Sequence, residues 1–187
     1  MYLSVIIPAY NEERFIGSVV LKVRKFPVTV IVVDDGSSDD TAEVALAAGA
    51  TVIRHPTNRG KAQALNSGFT AGRKLQPAVI VMIDGDGQHL PEQMEAIVRP
   101  VLEDKADIVI GSRYLRKPEG VPSHRVAGHW CFNLATRLSS GVNASDSQSG
   151  YRAFSPRAYN ADLFHSSNFT VESEMQFIAH AHGLRVV

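Results

Sequence analysis

The segment Val28-Thr29-Val30-Ile31-Val32-Val33 is a run of mostly β-branched residues that ends abruptly in Asp34-Asp35-Gly36-Ser37. An apolar run without polar alternation is typical of a strand buried on both faces of a sheet. Four more runs share this character, at 3–7, 51–54, 79–83 and 108–110. Helical patterns separate them, and the alternation predicts an α/β fold in which helices cover both faces of a mainly parallel sheet.

The helices are predicted from one-face apolar spacing. Asn11 is the expected N-cap of the first helix, whose apolar face begins at Phe15. Further helices are expected at 41–48, 61–75 and 91–102, the last kinked or broken at Pro100. Beyond them the patterns predict a helix at 126–138, a short strand at 151–154 and a last helix at 172–182.

Composition limits the possible classes of protein. The 187 residues, 44% of them hydrophobic, suit a single domain spanning 1–187. Lys plus Arg and Asp plus Glu both number 19, so no global basic field attracts nucleic acid or an anionic membrane. A lone cysteine, Cys131, cannot form an internal disulfide. The N-terminus lacks a basic signal region and no apolar run approaches the ~20 residues of a membrane span, which predicts a cytoplasmic location.

The chain ends on Gly183-Leu184-Arg185-Val186-Val187, which reads as a helix stop followed by the start of a strand. A strand that begins and is cut off is a poor natural terminus. We therefore expect the domain to be truncated at its C-terminus.

Polar residues collect where the predicted strands end, and in an open α/β sheet ligands bind at the carboxyl ends of the strands. The first strand is followed by Pro8-Ala9-Tyr10-Asn11-Glu12 and the second by Asp34-Asp35-Gly36-Ser37. The fourth is followed by Asp84-Gly85-Asp86-Gly87-Gln88-His89 and the fifth by Gly111-Ser112-Arg113-Tyr114. Acids, amides, an aromatic ring and an arginine are thus predicted to meet at one edge.

Asp84 and Asp86 are separated by a single glycine after a buried strand. Two such carboxylates repel each other unless a cation or hydrogen-bond donors compensate, and oxygen ligands suit Mg²⁺ or Mn²⁺. The alternative is a solvated turn. The segment 34–37 likewise fits an ordinary turn before a helix, and Asn58-Arg59-Gly60-Lys61 fits either a phosphate-facing turn or a plain loop.

Taken together and in order, these segments resemble family 2 glycosyltransferases of the GT-A fold, and most closely the dolichyl or polyprenyl phosphate mannosyl- and glucosyltransferases. The segments that carry the resemblance are Pro8 to Glu12, Val33 to Ser37, Asn58 to Lys61, Asp84 to His89, Gly111 to Tyr114 and Ser149-Gly150-Tyr151-Arg152. The resemblance spans nearly the whole chain and implies a GT-A fold, a three-layer α/β/α arrangement around a mainly parallel sheet.

The resemblance also implies roles for single residues. Those expected to bind the nucleotide sugar are Pro8, Ala9, Tyr10, Glu12, Val33, Asp35, Lys61, Asp84 and Gly85. Asp86 and Gln88 are expected to ligate Mg²⁺ or Mn²⁺, Arg113 to contact the diphosphate or sugar, and Arg125 and Arg152 to face the acceptor phosphate.

The implied reaction is inverting, metal-dependent transfer of a hexose from a GDP-mannose or UDP-glucose type of donor to a polyprenyl or dolichyl phosphate. A lipid monophosphate arrives largely ionised, its second pKa being near ~6 as in phosphoserine, and needs arginines rather than a base. A hydroxyl acceptor, such as a saccharide, needs a general base, for which Asp146 is the candidate. The segment 128–131 lacks the serine that lipid-phosphate members tend to carry there, and the basic residues such enzymes carry beyond the last helix are absent.

Three other classes of protein compete with this interpretation. A phosphoacceptor signalling receiver also gathers acids and a lysine at strand ends, but it leaves residues 8–12 and everything after about residue 125 unused. A dinucleotide-dependent oxidoreductase is disfavoured because no Gly-x-Gly-x-x-Gly opens the first helix. A catalytically silent nucleotide-sugar-binding module remains an alternative.

For a glycosyltransferase of this family we expect action at the cytoplasmic face of a membrane. The membrane would be reached through the acceptor or through missing C-terminal segments.

Overall fold

The protein is described here by a computed structural model that covers residues 2–111, 149–161 and 171–187. The apolar runs form strands β1 (Leu3–Ala9), β2 (Val28–Asp34), β3 (Thr51–Arg54), β4 (Val79–Met82), β5 (Ile108–Ile110) and β6 (Arg152–Phe154). The helices are α1 (Glu13–Val23), α2 (Thr41–Ala47), α3 (Lys61–Arg73), α4 (Met94–Leu102), α5 (Pro156–Tyr159) and α6 (Val171–Ala181), and a 3₁₀ turn (Pro91–Gln93) precedes α4.

The six strands form one sheet in the order β3-β2-β1-β4-β6-β5. β1 pairs with β2 and β4 in parallel, and β2 pairs with β3 in parallel. β6 is antiparallel to both of its neighbours, β4 and β5. The predicted mainly parallel sheet is therefore confirmed, with one reversed strand inserted near its end.

Both faces of the sheet are buried, which explains why the strands lack polar alternation. On one face Val5, Ile7 and Val81 pack against α1, α2 and α4, with Ile16 and Ile97 among the helix residues. On the other face Ile6, Ile80 and Phe154 pack against α3, α5 and α6, with Phe69 and Met175 among the helix residues. Successive strand residues point to opposite faces, so each strand contributes side chains to the core on both faces of the sheet.

β5 receives its hydrogen-bonding partners from parts of the chain that follow it. β6 pairs along one edge through Val109 and Ala153. On the other edge Val186 makes a parallel bridge to Ile108, and Val187 N donates to Ile108 O at 3.0 Å. The predicted C-terminal strand start is thus a strand-like pairing on β5.

The start of α1 differs from the prediction. The N-cap position belongs to Glu12, and Asn11 instead adopts a left-handed φ of 55°. Its side-chain Oδ1 accepts a hydrogen bond from Ser38 N at 3.0 Å, because the loop after β2 competes for the amide. The two helices cap each other nearby: Asp39 accepts from Glu13 N, and the Glu13 carboxylate accepts from Asp40 N. This brace joins the loops that follow β1 and β2.

Helix α4 continues through Pro100 to Leu102, so the proline lies within its last turn instead of ending it. Among the helices of the described ranges, none combines the length and apolarity that a membrane crossing requires.

Candidate active site

The carboxyl ends of β1, β2 and β4 and the start of α3 enclose a cavity of about 370 Å³. Parallel strands bring their carboxyl ends to the same edge, which is why residues from distant parts of the sequence meet here. The residues that line it are Pro8, Ala9, Tyr10, Glu12, Asp35, Asn58, Gly60, Lys61, Ala64, Asp84, Gly85 and Asp86. Eight of the nine residues predicted to bind the nucleotide sugar are among them. Val33 is the ninth, and it is fully buried in the core behind the cavity.

Asp35 sits at one wall of the cavity with its carboxylate nearly buried. His55 Nδ1 lies 2.6 Å from Oδ1, and the backbone N–H of Arg59 donates to the same oxygen at 3.0 Å. Gly60 N donates to Oδ2 at 2.7 Å. These bonds fasten the loop 58–60, and with it the start of α3, to the end of β2. Gly60, whose φ is 86°, is the N-cap of α3 and takes the left-handed conformation without a Cβ penalty.

Lys61, the first residue of α3, is held between two carboxylates. Its Nζ lies 2.7 Å from Asp84 Oδ1 and 2.6 Å from Glu172 Oε1. Burial favours the neutral amine, but the two carboxylates outweigh it and raise the pKa of Lys61. Glu172 stands in the first turn of α6, so this pair joins the C-terminal helix to the cavity.

Asp84 is engaged on both oxygens, since His89 Nε2 lies 3.3 Å from Oδ2. Burial disfavours the charged form of Asp84, yet the hydrogen bond from His89 and the charge of Lys61 more than compensate. The pKa of Asp84 therefore lies well below its usual range. Asp84 is thus a carboxylate paired with the protein's own Lys61 and hydrogen-bonded to His89.

Gly150 packs directly against the Asp84 carboxylate, and a Cβ on Gly150 would overlap the carboxylate oxygens. We expect Gly150→Ala to lower the free energy of unfolding by about 1–3 kcal/mol, the usual cost of overpacking, and to displace Asp84. In a thermal melt that loss corresponds to about 2–4 °C in Tm for each kcal/mol in a chain of this size.

Gly85→Ala is the matched control for that experiment, because its added Cβ would lie 3.4 Å from Pro8 O and 3.5 Å from Ala9 Cβ, which are ordinary contacts. It should melt close to the wild type. A Gly150→Ala protein that melts together with Gly85→Ala would contradict the packing of Gly150 on Asp84.

Asp86 contrasts with Asp84. Its Oδ1 accepts a hydrogen bond from Gln88 N at 2.9 Å, and no cationic side chain of the described residues pairs with it. Burial and the charges of Asp86, Asp39 and Asp84 together raise the pKa of nearby Glu12. The cavity wall at Asp86 is therefore a negative region without a protein cation of its own in the part of the chain described here.

The chemistry of the lining carboxylates fits Mg²⁺ or Mn²⁺. Carboxylate oxygens suit both ions, which commonly bind one or two carboxylates and complete their coordination with water and substrate phosphates. The described residues include no group of three or more His, Cys, Asp or Glu side chains placed to hold a metal. The lining carboxylates without a cationic partner in the described ranges are Asp86 and Glu12. The side chain of Gln88 is exposed and lies outside the cavity lining, so its predicted role stays a prediction.

Arg152 lies in β6, where the predicted strand is confirmed, and only 1% of the residue is exposed. Its Nε donates to Ser149 O at 2.9 Å, and it is not among the residues that line the cavity. The predicted contact between Arg152 and an acceptor phosphate stays a prediction. Arg113, Arg125 and Asp146 lie outside the described residues.

Two residues that bond the cavity lining, His55 and Glu172, are not among the predicted site residues; the two acids at the start of the last helix are assigned to its dipole. His55 follows the end of β3, so the strand-end rule that pointed to Asp35 and Asp84 could have found it. Glu172 had no local signal, because its partner Lys61 is 111 positions away and two acids in the first turn of a helix are ordinary.

The chain matches the family model described as glycosyl transferase family 2 over residues 4–165. It is 33% identical to an undecaprenyl-phosphate mannosyltransferase of Micrococcus luteus, a match that covers 100% of this chain and 81% of that one. It is 29% identical to a UDP-N-acetylglucosamine–dolichyl-phosphate N-acetylglucosaminyltransferase of Methanococcus voltae, over 98% of this chain and 82% of the other.

Among solved structures the chain is similar to glucosyl-3-phosphoglycerate synthase from Mycobacterium tuberculosis in complex with Mn²⁺ and UDP-glucose. The TM-score is 0.76 at 25% identity, covering 100% of this chain and 67% of that one. The predicted GT-A fold is confirmed by this likeness and by the sheet described above.

Proposed function

The chain belongs to glycosyl transferase family 2, and from that premise we propose that it transfers a hexose from a nucleoside diphosphate sugar to a polyprenyl phosphate, with inversion and with the help of a divalent metal. Its activity as a hexosyltransferase follows from the family. The donor, the metal and the acceptor are the proposed parts. The observation that carries the donor and the metal is one cavity with an accepting carboxylate at Asp35 and, at Asp86, a carboxylate without a cationic partner among the described residues.

The two walls of the cavity suit the two ends of a nucleotide sugar. Tyr10 and Asp35 lie on the side where a base and ribose would bind, Tyr10 as a half-exposed aromatic surface and Asp35 as a hydrogen-bond acceptor. Lys61 supplies a positive charge near Asp84, at the centre of the lining. A diphosphate placed toward Asp86 would bring its negative charge to a carboxylate, which requires a cation between them.

Asp86, with Gln88 nearby, would hold Mg²⁺ or Mn²⁺ together with the diphosphate. Such an ion supplies charge neutralisation on the departing nucleoside diphosphate. The likeness to a structure that contains Mn²⁺ and UDP-glucose supports this assignment. Arg113 is proposed to assist by contacting the diphosphate or the sugar.

A polyprenyl phosphate is favoured as acceptor because two relatives are named as dolichyl-phosphate and undecaprenyl-phosphate glycosyltransferases. The phosphate oxygen is already charged at neutral pH, so cations such as Arg125 and Arg152 are needed to hold it and no base is required. Because the lipid resides in a membrane, we place the reaction at a membrane surface. The second candidate is a hydroxyl acceptor, favoured by the structural likeness to a glucosyl-3-phosphoglycerate synthase, and it would call for Asp146 as the general base.

We expect UDP or GDP to stabilise the chain in a thermal melt only when Mn²⁺ or Mg²⁺ is present, since the metal offsets the repulsion between the diphosphate and Asp86. The screen compares UDP, GDP and dTDP sugars with metal and with EDTA. The donor found there is then tested with undecaprenyl phosphate, 3-phosphoglycerate and free sugars as acceptors. Transfer to 3-phosphoglycerate or free sugars alone would overturn the lipid-phosphate acceptor, and an absence of any nucleotide effect would overturn the proposed donor.

A further inference from the structure

We propose that His55 is a positioning residue that fixes the Asp35 carboxylate for recognition of the donor's nucleoside part. The inference rests on the proposed function, because it assumes that a nucleotide occupies the cavity. It concerns a residue outside the cavity lining that acts through Asp35.

His55 is buried and is held from both of its ring nitrogens. Nδ1 lies 2.6 Å from Asp35 Oδ1, and Nε2 lies 2.8 Å from the hydroxyl of Ser67 on α3. The backbone of His55 is fixed as well, since its N–H donates to Asp34 O at 2.9 Å. A proton on Nδ1 suits both contacts, because Nδ1–H can then donate to the carboxylate while Nε2 accepts from the Ser67 hydroxyl.

The bonds to Asp35 leave it little freedom. An ionised carboxylate offers about four acceptor positions. His55 and Arg59 N approach Oδ1, while Gly60 N and, at 3.1 Å, the shared Arg59 N approach Oδ2. Each oxygen therefore has one donor of its own and a share of the Arg59 N–H. Among these bonds His55 supplies the side-chain donor, and without it Oδ1 would keep only the shared Arg59 N–H.

Replacing His55 would remove a hydrogen bond from Asp35, whereas the other contacts of the cavity would remain. The loop 58–60 would still be tied to Asp35 by its backbone N–H groups, and Lys61 would keep its carboxylate partners Asp84 and Glu172. The carboxylate, however, would lose the shorter of the two bonds to Oδ1, so its orientation would be held less firmly. The expected defect is therefore weaker binding of the nucleoside part, with the phosphate end of the cavity unchanged.

Two amide substitutions distinguish the contact made by Nδ1 from the contact made by Nε2. In His55→Asn the Nδ2 amide stands at the position of Nδ1 and can donate to Asp35, whereas in His55→Gln the Nε2 amide stands near the position of Nε2 and can reach Ser67. Both are neutral amides, so they control for each other in polarity. His55→Ala removes both contacts.

The test measures binding of UDP, GDP and Mn²⁺-pyrophosphate to the full chain by calorimetry. We expect His55→Ala and His55→Gln to weaken the nucleotide that the wild type prefers by about 5- to 30-fold, while Mn²⁺-pyrophosphate affinity stays within twofold. We expect His55→Asn to restore nucleotide affinity to within about threefold of wild type.

The outcomes separate the inference from the proposal on which it rests. If Asn and Gln variants bind the nucleotide equally, or if pyrophosphate affinity falls with nucleotide affinity, His55 serves folding alone and the inference is overturned. If the wild type binds neither nucleotide in the presence of Mn²⁺, the proposed donor is overturned and the inference with it.

Discussion

Asp86→Asn is expected to lower the rate of sugar transfer by about 10² to 10³. That factor corresponds to about 3–4 kcal/mol of transition-state stabilisation, in the range found when one charge-stabilising group is removed from an active site. The substitution keeps the shape of the side chain and removes its charge. Asp86 and Glu12 are the lining carboxylates without a cationic partner among the described residues, and Asp86, next to Gln88, is the one proposed to bind the metal.

The measurement is a metal titration of transfer from the donor identified in the screen. We expect the Mn²⁺ concentration for half-maximal rate to rise at least tenfold in Asp86→Asn. Glu95→Gln removes an exposed carboxylate on α4, away from the cavity lining, and should leave the titration unchanged. An Asp86→Asn enzyme with the wild-type response to metal would contradict the assignment of Asp86.

Lys61→Met is the second substitution with a large expected effect, and it acts on stability. It leaves Asp84 and Glu172 facing each other without the shared cation, each mostly shielded from water. Removing one partner of a fully buried pair costs about 3–5 kcal/mol. Because about a third of the Lys61 side chain is exposed, we expect about 1–3 kcal/mol at neutral pH. Lys61→Arg keeps the charge and should lose less.

The pH dependence distinguishes this electrostatic cost from lost packing. The pKa of Asp84 is lowered in the fold, so the stability that its pairing contributes is present above the ordinary aspartate pKa of about 4 and is lost as pH falls toward the folded value. In Lys61→Met the two carboxylates repel, and protonation relieves them. The gap between Lys61→Met and wild type in urea unfolding should therefore narrow from pH 7 to pH 4. A gap that stays constant would assign the loss to packing.

The sequence predicted the first five strands because each is an apolar run whose neighbours are helical, and both faces of the sheet are buried. It predicted most of the cavity lining for the same reason, since residues after such runs must meet at one edge. β6 was harder to predict because three residues that begin with an arginine carry little periodic signal. Its assignment depends on β4 and β5, which lie on both sides of it.

The wrong N-cap and the missed site residues share a physical cause. Asn11 has the right chemistry for an N-cap, but the backbone of Ser38, 27 residues later, takes its side chain. Glu172 and His55 likewise belong to the site only through their bonds to Lys61 and Asp35, which are distant in sequence. Local propensity predicts what a residue can do, and the tertiary contacts decide which of those possibilities is used.

The arrangement of β5 has a consequence for how the chain is made. A ribosome delivers β1 to β4 first, and the ladders among these four strands join only residues up to 82, so they can pair with one another as they emerge, with one edge of β4 left open for β6. β5 emerges next, yet its ladder partners are residues 152–154 and 186. Its backbone N–H and C=O groups therefore stay without their ladder partners while at least forty more residues are synthesised. During that interval an apolar strand has two open edges, so β5 is the segment of the described sheet most exposed to misassociation before the chain is complete.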